Sequence, residues 1–403
     1  MKTTIVINIG VLILKLQSAF AVTSADRIRS AGYASETHDI RTKDGYIVTI
    51  FRIRNTTLDD SAISRRPVVL MWHGLLSSSD CWVLKGIPDT LAYDLVDSGY
   101  DVWLGNARGN NYGRRHVKLS PTAREFWRFS WHEIGTIDLP TTIDYILQET
   151  QQTSLHYVGH SQGTTIMFVL LSMQPEYNSK LRTLHMLAPV AFAKNMRSLL
   201  FEIMAVIFGS YSALDPLLGD SALLQQPILQ QIFYIDKCRQ QLASPELCMR
   251  VGFLIYGGYS AYLKKSLLKE AFDTHPSSAS THQAIHYIQL KVSGYFRQYD
   301  YGVEGNMERY NSSTPPDYNL ANINTRFPLH LYYSDYDELS TRKDVEKLSS
   351  ILGNKNVDHF IPLKNFAHID FLWASNIKEV INNRVVKIIN DAEVILRKDG
   401  RDV

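Results

Sequence analysis

Five residues, Gly159-His160-Ser161-Gln162-Gly163, constrain this chain more than any other feature of its 403 residues. They follow Leu155-His156-Tyr157-Val158, which reads as a buried strand, and precede Thr164 to Met173, which reads as a helix. A strand that turns into a helix this sharply has no room for a Cβ at the flanking positions, which accounts for both glycines. Such a turn lifts the Ser161 hydroxyl to the top of a sheet. It also aims the Gln162 N–H at the place where an oxyanion would form. Taken alone, the five residues are equally compatible with an ordinary turn around a buried serine.

The flanking pattern supplies the sheet. His38 to Ile53 alternates around Asp44-Gly45 as a hairpin would. Pro67 to Trp72 is continuously apolar, Tyr100 to Leu104 nearly so, and both read as strands buried on two faces. Asp138 to Leu147 carries Leu139, Ile143, Ile146 and Leu147 at helical spacing, and Leu184 to Leu187 is the next strand. Alternating strands and helices call for an α/β fold with a mostly parallel central sheet. The rhythm breaks after Pro189 and resumes at Phe327 to Tyr333 and His359 to Leu363, with a closing amphipathic helix over Ile377 to Leu396. A structureless loop of the intervening length would be very unusual. The expected organisation is therefore a core in two parts, residues 22–189 and 323–403, with a mainly helical cap inserted at 190–322.

A serine hydroxyl becomes a nucleophile only beside a base, and the base needs an orienting acid. In the α/β-hydrolase fold the chain order is Ser, acid, His. His368, directly after the last predicted strand, is the candidate base. Asp337 is the candidate acid, just past the preceding strand, and Asp335 on the same turn is an open alternative. Trp72-His73-Gly74-Leu75 leaves an early strand, so the Leu75 N–H is the candidate second oxyanion donor beside that of Gln162. His282 and His286 stand four apart, but no third ligand accompanies them, and satisfied structural histidines are the favoured reading; no metal or other cofactor is expected.

The N-terminus has a secretory form. Lys2 precedes an apolar run, Ile5 to Leu14, too short to span a bilayer, and Ala19-Phe20-Ala21 has the small-x-small form of a cleavage site. Cleavage would remove residues 1–21 and leave Val22 as the first residue; no later segment reads as a transmembrane anchor. Sequons at Asn55 and Asn311 suit that route as glycosylation sites. Lys+Arg total 42 against 40 Asp+Glu, and this balance argues against a nucleic-acid partner. An oxidising compartment would allow one disulfide among Cys81, Cys238 and Cys248.

Over nearly the whole mature chain the sequence resembles the gastric and lysosomal acid lipase family. The resemblance rests on Asp44-Gly45-Tyr46, His73 to Asp80, Gly105 to Asn110, Gly159 to Thr165, His286-Tyr287, Phe296 to Gly302 and the loop Asn365 to Phe371. It implies a secreted or lysosomal lipase acting on neutral lipids, triacylglycerols or cholesteryl esters, and meeting the lipid–water interface through its cap. It also implies Ser161, Asp337 and His368 as the triad and Leu75 and Gln162 as oxyanion donors, and it prefers Asp337 to Asp335. Ser334-Asp335 departs from a Gly pair common in the family, and Cys81 has no assigned role. A Cys238–Cys248 disulfide is expected, since relatives carry one in this part of the cap and Pro245 between the two cysteines favours a turn. The competing readings are a catalytically idle lipid carrier on the same fold, a hydrolase of other small esters, and a serine peptidase using the same triad.

Overall fold

The computed structural model describes residues 22–55, 66–208, 219–224, 230–231, 234–353, 357–360 and 363–399. The leader, residues 1–21, and Thr56-Thr57 of the first sequon lie outside the described residues. Among the described residues nine strands form one sheet: β1 (Ala34–Arg41), β2 (Tyr46–Arg54), β3 (Val68–Trp72), β4 (Asp101–Leu104), β5 (Arg115–His116), β6 (Leu155–His160), β7 (Leu181–Leu187), β8 (Leu329–Tyr332) and β9 (Val357–Phe360). Their order is β1-β2-β4-β3-β6-β7-β8-β9, with β5 paired to β2. The pairs from β4 to β9 are parallel, and the pairs made by β2 are antiparallel. Every residue of β3, β4, β6 and β7 is buried, as strands covered by helices on both faces must be.

Helices cover both faces. Leu139–Thr150 and Gln162–Met173 pack in one apolar cluster with Val68, Leu70 and Trp72, while Leu91–Asp97 and Asn383–Lys398 pack in another with Val69 and Met71. The alternation of β3 side chains between two clusters is the pleat of one central strand. Between β7 and β8 the described residues form helices, among them Leu199–Phe208, Ile235–Arg239, Pro245–Tyr256, Leu268–Thr274, Thr281–Ser293 and Gly302–Tyr310, and no strand of the sheet.

Two local expectations need correction, and one helix went unread. Pro245 makes no turn. It is the first residue of a helix capped by the Ser244 hydroxyl, a position where the missing N–H of proline is not needed. β9 starts at Val357, two residues before the predicted strand, and residues 361–362 lie outside the described residues. Leu91–Asp97, the crossover between β3 and β4, was not recognisable as a helix from its short apolar spacing.

Candidate active site

Ser161 sits between β6 and the helix Gln162–Met173 with φ 52° and ψ −116°, a backbone conformation rare for a residue with a side chain. Hydrogen bonding over-determines it: the Ser161 N–H donates to Leu187 O at 2.9 Å, and its carbonyl accepts from Thr164 N at 2.8 Å. The flanking glycines are required by close approach. A Cβ on Gly163 would lie 2.5 Å from the Trp72 carbonyl oxygen, and one on Gly159 would lie 2.8 Å from the Tyr157 ring. Gln162 opens the helix, so its N–H has no acceptor within the helix.

The exit of β3 passes directly over the serine. A Cβ on Gly74 would sit 3.1 Å from Ser161 Cβ and 3.5 Å from its Oγ, so the Gly74-Leu75 backbone lies beside the Ser161 hydroxyl. His73 holds that backbone. The Ala107 N–H donates to His73 Nε2 at 3.2 Å, so the ring proton is on Nδ1, which donates to Gly74 O at 2.8 Å. Burial pulls the His73 pKa down to about 4 and keeps this tautomer neutral.

His368 follows β9, and its Nδ1 donates to Asp337 Oδ2 at 2.8 Å. Asp337 Oδ1 accepts from the N–H groups of Leu339 at 2.8 Å and Ser340 at 2.9 Å. The Ser340 hydroxyl ties this loop to Pro189 O at the end of β7. With Nδ1 donating, the neutral His368 ring has its lone pair on Nε2. Ser161 and His368 line one apolar cavity, about 700 Å³ with its open mouth, together with Leu75, Leu200, Met204 and Tyr287. No hydrogen bond joins Ser161 Oγ to His368 in the described residues, and such bonds are often long before substrate arrives.

Sequence reading missed the groups behind this arrangement. Asp370 is fully buried, accepting from Ala367 N at 2.7 Å and from the Ser260 hydroxyl, so it fixes the loop that carries His368. Burial, partly opposed by these two bonds, raises its pKa to about 6. His160 Nε2 donates to His368 O at 3.1 Å. Only the place of His160 beside Ser161 and the short gap from His368 to Asp370 hinted at either role.

The remaining candidates are also placed. Cys238 and Cys248 are joined, with Cα atoms 5.5 Å apart. Cys81 is a buried free thiol, pushed up by burial, and its carbonyl accepts from Trp373 Nε1. His282 contacts Asp220 at 2.8 Å, while both nitrogens of His286 bond to Ser130 and to Arg297 O, and its ring stacks on Trp131. No group of three metal-ligating side chains occurs among the described residues. Asn311 is exposed at a helix end, and Asn55 Nδ2 donates to Asp97 at 3.3 Å.

Comparison with known proteins identifies the family and the fold. Residues 24–86 match the model of a partial alpha/beta-hydrolase lipase region, and residues 67–211 match the alpha/beta hydrolase fold. Lipase 3 of Drosophila melanogaster is 39% identical over 91% of this chain and 93% of its own length. The gastric triacylglycerol lipases of Bos taurus and Homo sapiens are 37% and 36% identical, each over 89% of this chain and 88% and 89% of their own lengths. A solved structure from Sulfolobus solfataricus shares the fold, with a TM-score of 0.56 at 15% identity, over 89% of this chain and 94% of its own. At such identity over such a share of its length, this chain belongs to the acid lipase family of α/β-hydrolases and is a serine ester hydrolase.

Proposed function

We propose that the protein hydrolyses carboxylic esters of neutral lipids, triacylglycerols or cholesteryl esters, through an acyl-enzyme formed on Ser161. The observation that carries this reading is the Asp337–His368 pair opening with Ser161 onto one apolar cavity. His368 Nε2 takes the Ser161 proton as Oγ attacks the ester carbonyl, and Asp337 stabilises the imidazolium. The N–H groups of Leu75 and Gln162 receive the oxyanion. His368 then returns the proton to the departing alcohol, and water attacks the acyl-serine by the same route.

The segment 190–322 acts as the cap. Its helix Leu199–Phe208 turns Leu200, Phe201 and Met204 into the cavity. Leu199 and Val206 remain 60% and 86% exposed, and an apolar edge of this kind suits contact with a lipid surface. Among the described residues no helix is long and apolar enough to cross a membrane. A secretory route, to the exterior or the lysosome, rests on the leader; N-terminal sequencing of exported protein should start at Val22.

The test is a panel of tributyrin, triolein and cholesteryl oleate between about pH 4 and pH 8, on wild type and Ser161→Ala. Wild type should cleave at least one long-chain lipid, and the variant should lose roughly a million-fold in turnover. A folded variant within about tenfold of wild type overturns the mechanism, and a wild type active only on water-soluble esters overturns the substrate class.

A further inference from the structure

Behind the catalytic cavity lies a second one, about 340 Å³ with its open side, bordered by the helices Pro245–Tyr256 and Leu268–Thr274 and the segment that follows His368. Its lining includes Gly252, Phe253, Leu268 and Phe272 and exposes only apolar surface. Four residues, Tyr256, His275, Ile369 and Trp373, line both cavities and form the wall between them. Three of these are rings packed edge to face: Tyr256 and His275 each lie against Trp373, with centroids 6.2 Å and 5.1 Å from it. Two of the rings are anchored, His275 through both ring nitrogens to Ser77 and Thr274 and Trp373 through Nε1 to the Cys81 carbonyl, whereas Tyr256 is held by packing alone.

Two features single out Tyr256 in that wall. Its hydroxyl is buried and has no hydrogen-bond partner, an unfavourable state for a polar group that packing alone does not require. It is also the last residue of its helix and is followed by Gly257 and Gly258, at φ +83° and +105°. The backbone there can adjust without a side-chain clash. An unfilled apolar void is unfavourable in itself, because its walls lack partner atoms. An apolar void that adjoins the Ser161 cavity, divided from it at Tyr256 by a ring with no hydrogen bond, suits an apolar occupant arriving from that side.

We propose that this rear cavity takes the distal methylenes of a long acyl chain whose ester lies at Ser161, with Tyr256 as the specificity-determining partition. The inference rests on the lipase reading above and adds the place where chain length is sensed. Binding there is a transfer of apolar surface out of water, and each methylene buried is worth about fourfold in an equilibrium constant.

Gly252 provides the test. A Cβ built on it meets nothing within 4 Å, so Gly252→Leu places its side chain in open space and improves helix propensity. The readout is the ratio of kcat/KM for p-nitrophenyl palmitate to that for the butyrate. Excluding two or more methylenes should lower this ratio at least about tenfold in Gly252→Leu. The converse variant, Phe253→Ala, enlarges the cavity and should raise the ratio. If Gly252→Leu folds and the ratio stays within about twofold of wild type, or both esters lose activity equally, the inference is overturned. Should Gly252→Leu fail to fold, an unchanged ratio in Phe253→Ala overturns it as well. An active wild type with either result leaves the lipase reading standing, whereas a wild type inactive on every ester removes both.

Discussion

Asp337 is fully buried and accepts three hydrogen bonds, from His368 and from two backbone N–H groups. Asp335, two residues earlier, has a side chain 47% exposed and pairs with Arg342 on the surface. Surface pairs of this kind contribute little. Asp337→Asn should therefore cost about 10⁴-fold in kcat, as an amide there favours the wrong His368 tautomer, and Asp335→Asn should change kcat less than about twofold. Steady-state kinetics on a soluble ester decides between them, and the reverse ranking would move the acid to Asp335. Asp370 gives a prediction of a different kind. Its pKa rises from 3.8 to about 6 on folding, so the folded state binds its proton more tightly than the unfolded chain does. The stability this contributes is full below about pH 4 and is lost as pH rises through 6, a change of about 3 kcal/mol. Asp370→Asn cannot titrate there. Urea denaturation should show the variant gaining on wild type by about that amount from pH 4 to pH 7, and a constant difference would contradict the shift.

The disulfide joins two short elements, the helices Ile235–Arg239 and Pro245–Tyr256, and the second of these ends on the cavity residues Ile255 and Tyr256. Closing so short a loop restricts the unfolded chain and is worth about 2–3 kcal/mol on the chain-entropy model. Cys238→Ser should lower stability by about that much. It should also impair triolein hydrolysis several-fold more than hydrolysis of p-nitrophenyl butyrate, since the loosened helix carries Ile255 and Tyr256, on the wall proposed to meet a long acyl chain. Equal losses on both substrates would confine the bridge to folding. At this scale the sequence was legible where one element has one environment. The strands β3, β6 and β7 are buried on both faces, so their apolar runs announce them, and the turn at Ser161 carries glycines that only close packing demands. The helices between β7 and β8 were legible only as a composition. Their pairing depends on contacts between distant segments, such as Tyr287 with Thr165 at 2.8 Å, that no local period encodes.

Across the whole molecule one polar network links the N-terminal helix, Ser24–Ser30, to the β3 exit loop proposed to receive the oxyanion. The Ser24 hydroxyl bonds to Asp80 and Ser79, at 2.7 Å each, and Tyr112 OH donates to Asp80 at 2.9 Å. Asn106 is the hub. Its Nδ2 donates to Ser79 Oγ and to Thr49 O, and its Oδ1 accepts from Ser79 N and from Asn110 Nδ2. Asn110 Nδ2 lies 3.1 Å from His73 Nε2, and His73 Nδ1 holds the Gly74 carbonyl beside Ser161. The bonded residues come from four separate stretches of chain. Spacing along the sequence could not expose their connection, because each side chain is satisfied only after the sheet has formed. Removing the hub leaves several buried donors and acceptors unpaired, each costing about 1–3 kcal/mol. Asn106→Ala should therefore destabilise the fold by about 2–4 kcal/mol. It should also free the Gly74-Leu75 backbone to drift from the oxyanion, and loss of one such donor costs about 10²–10³ in kcat. A drift short of full loss should lower kcat on p-nitrophenyl butyrate at least about tenfold, with KM changed much less, because the ground-state carbonyl uses that donor weakly. The comparison must be made at a temperature where circular dichroism shows the variant folded. A folded Asn106→Ala enzyme with wild-type kcat would show that the network fastens the N-terminal helix to the core and leaves the reacting centre to organise itself.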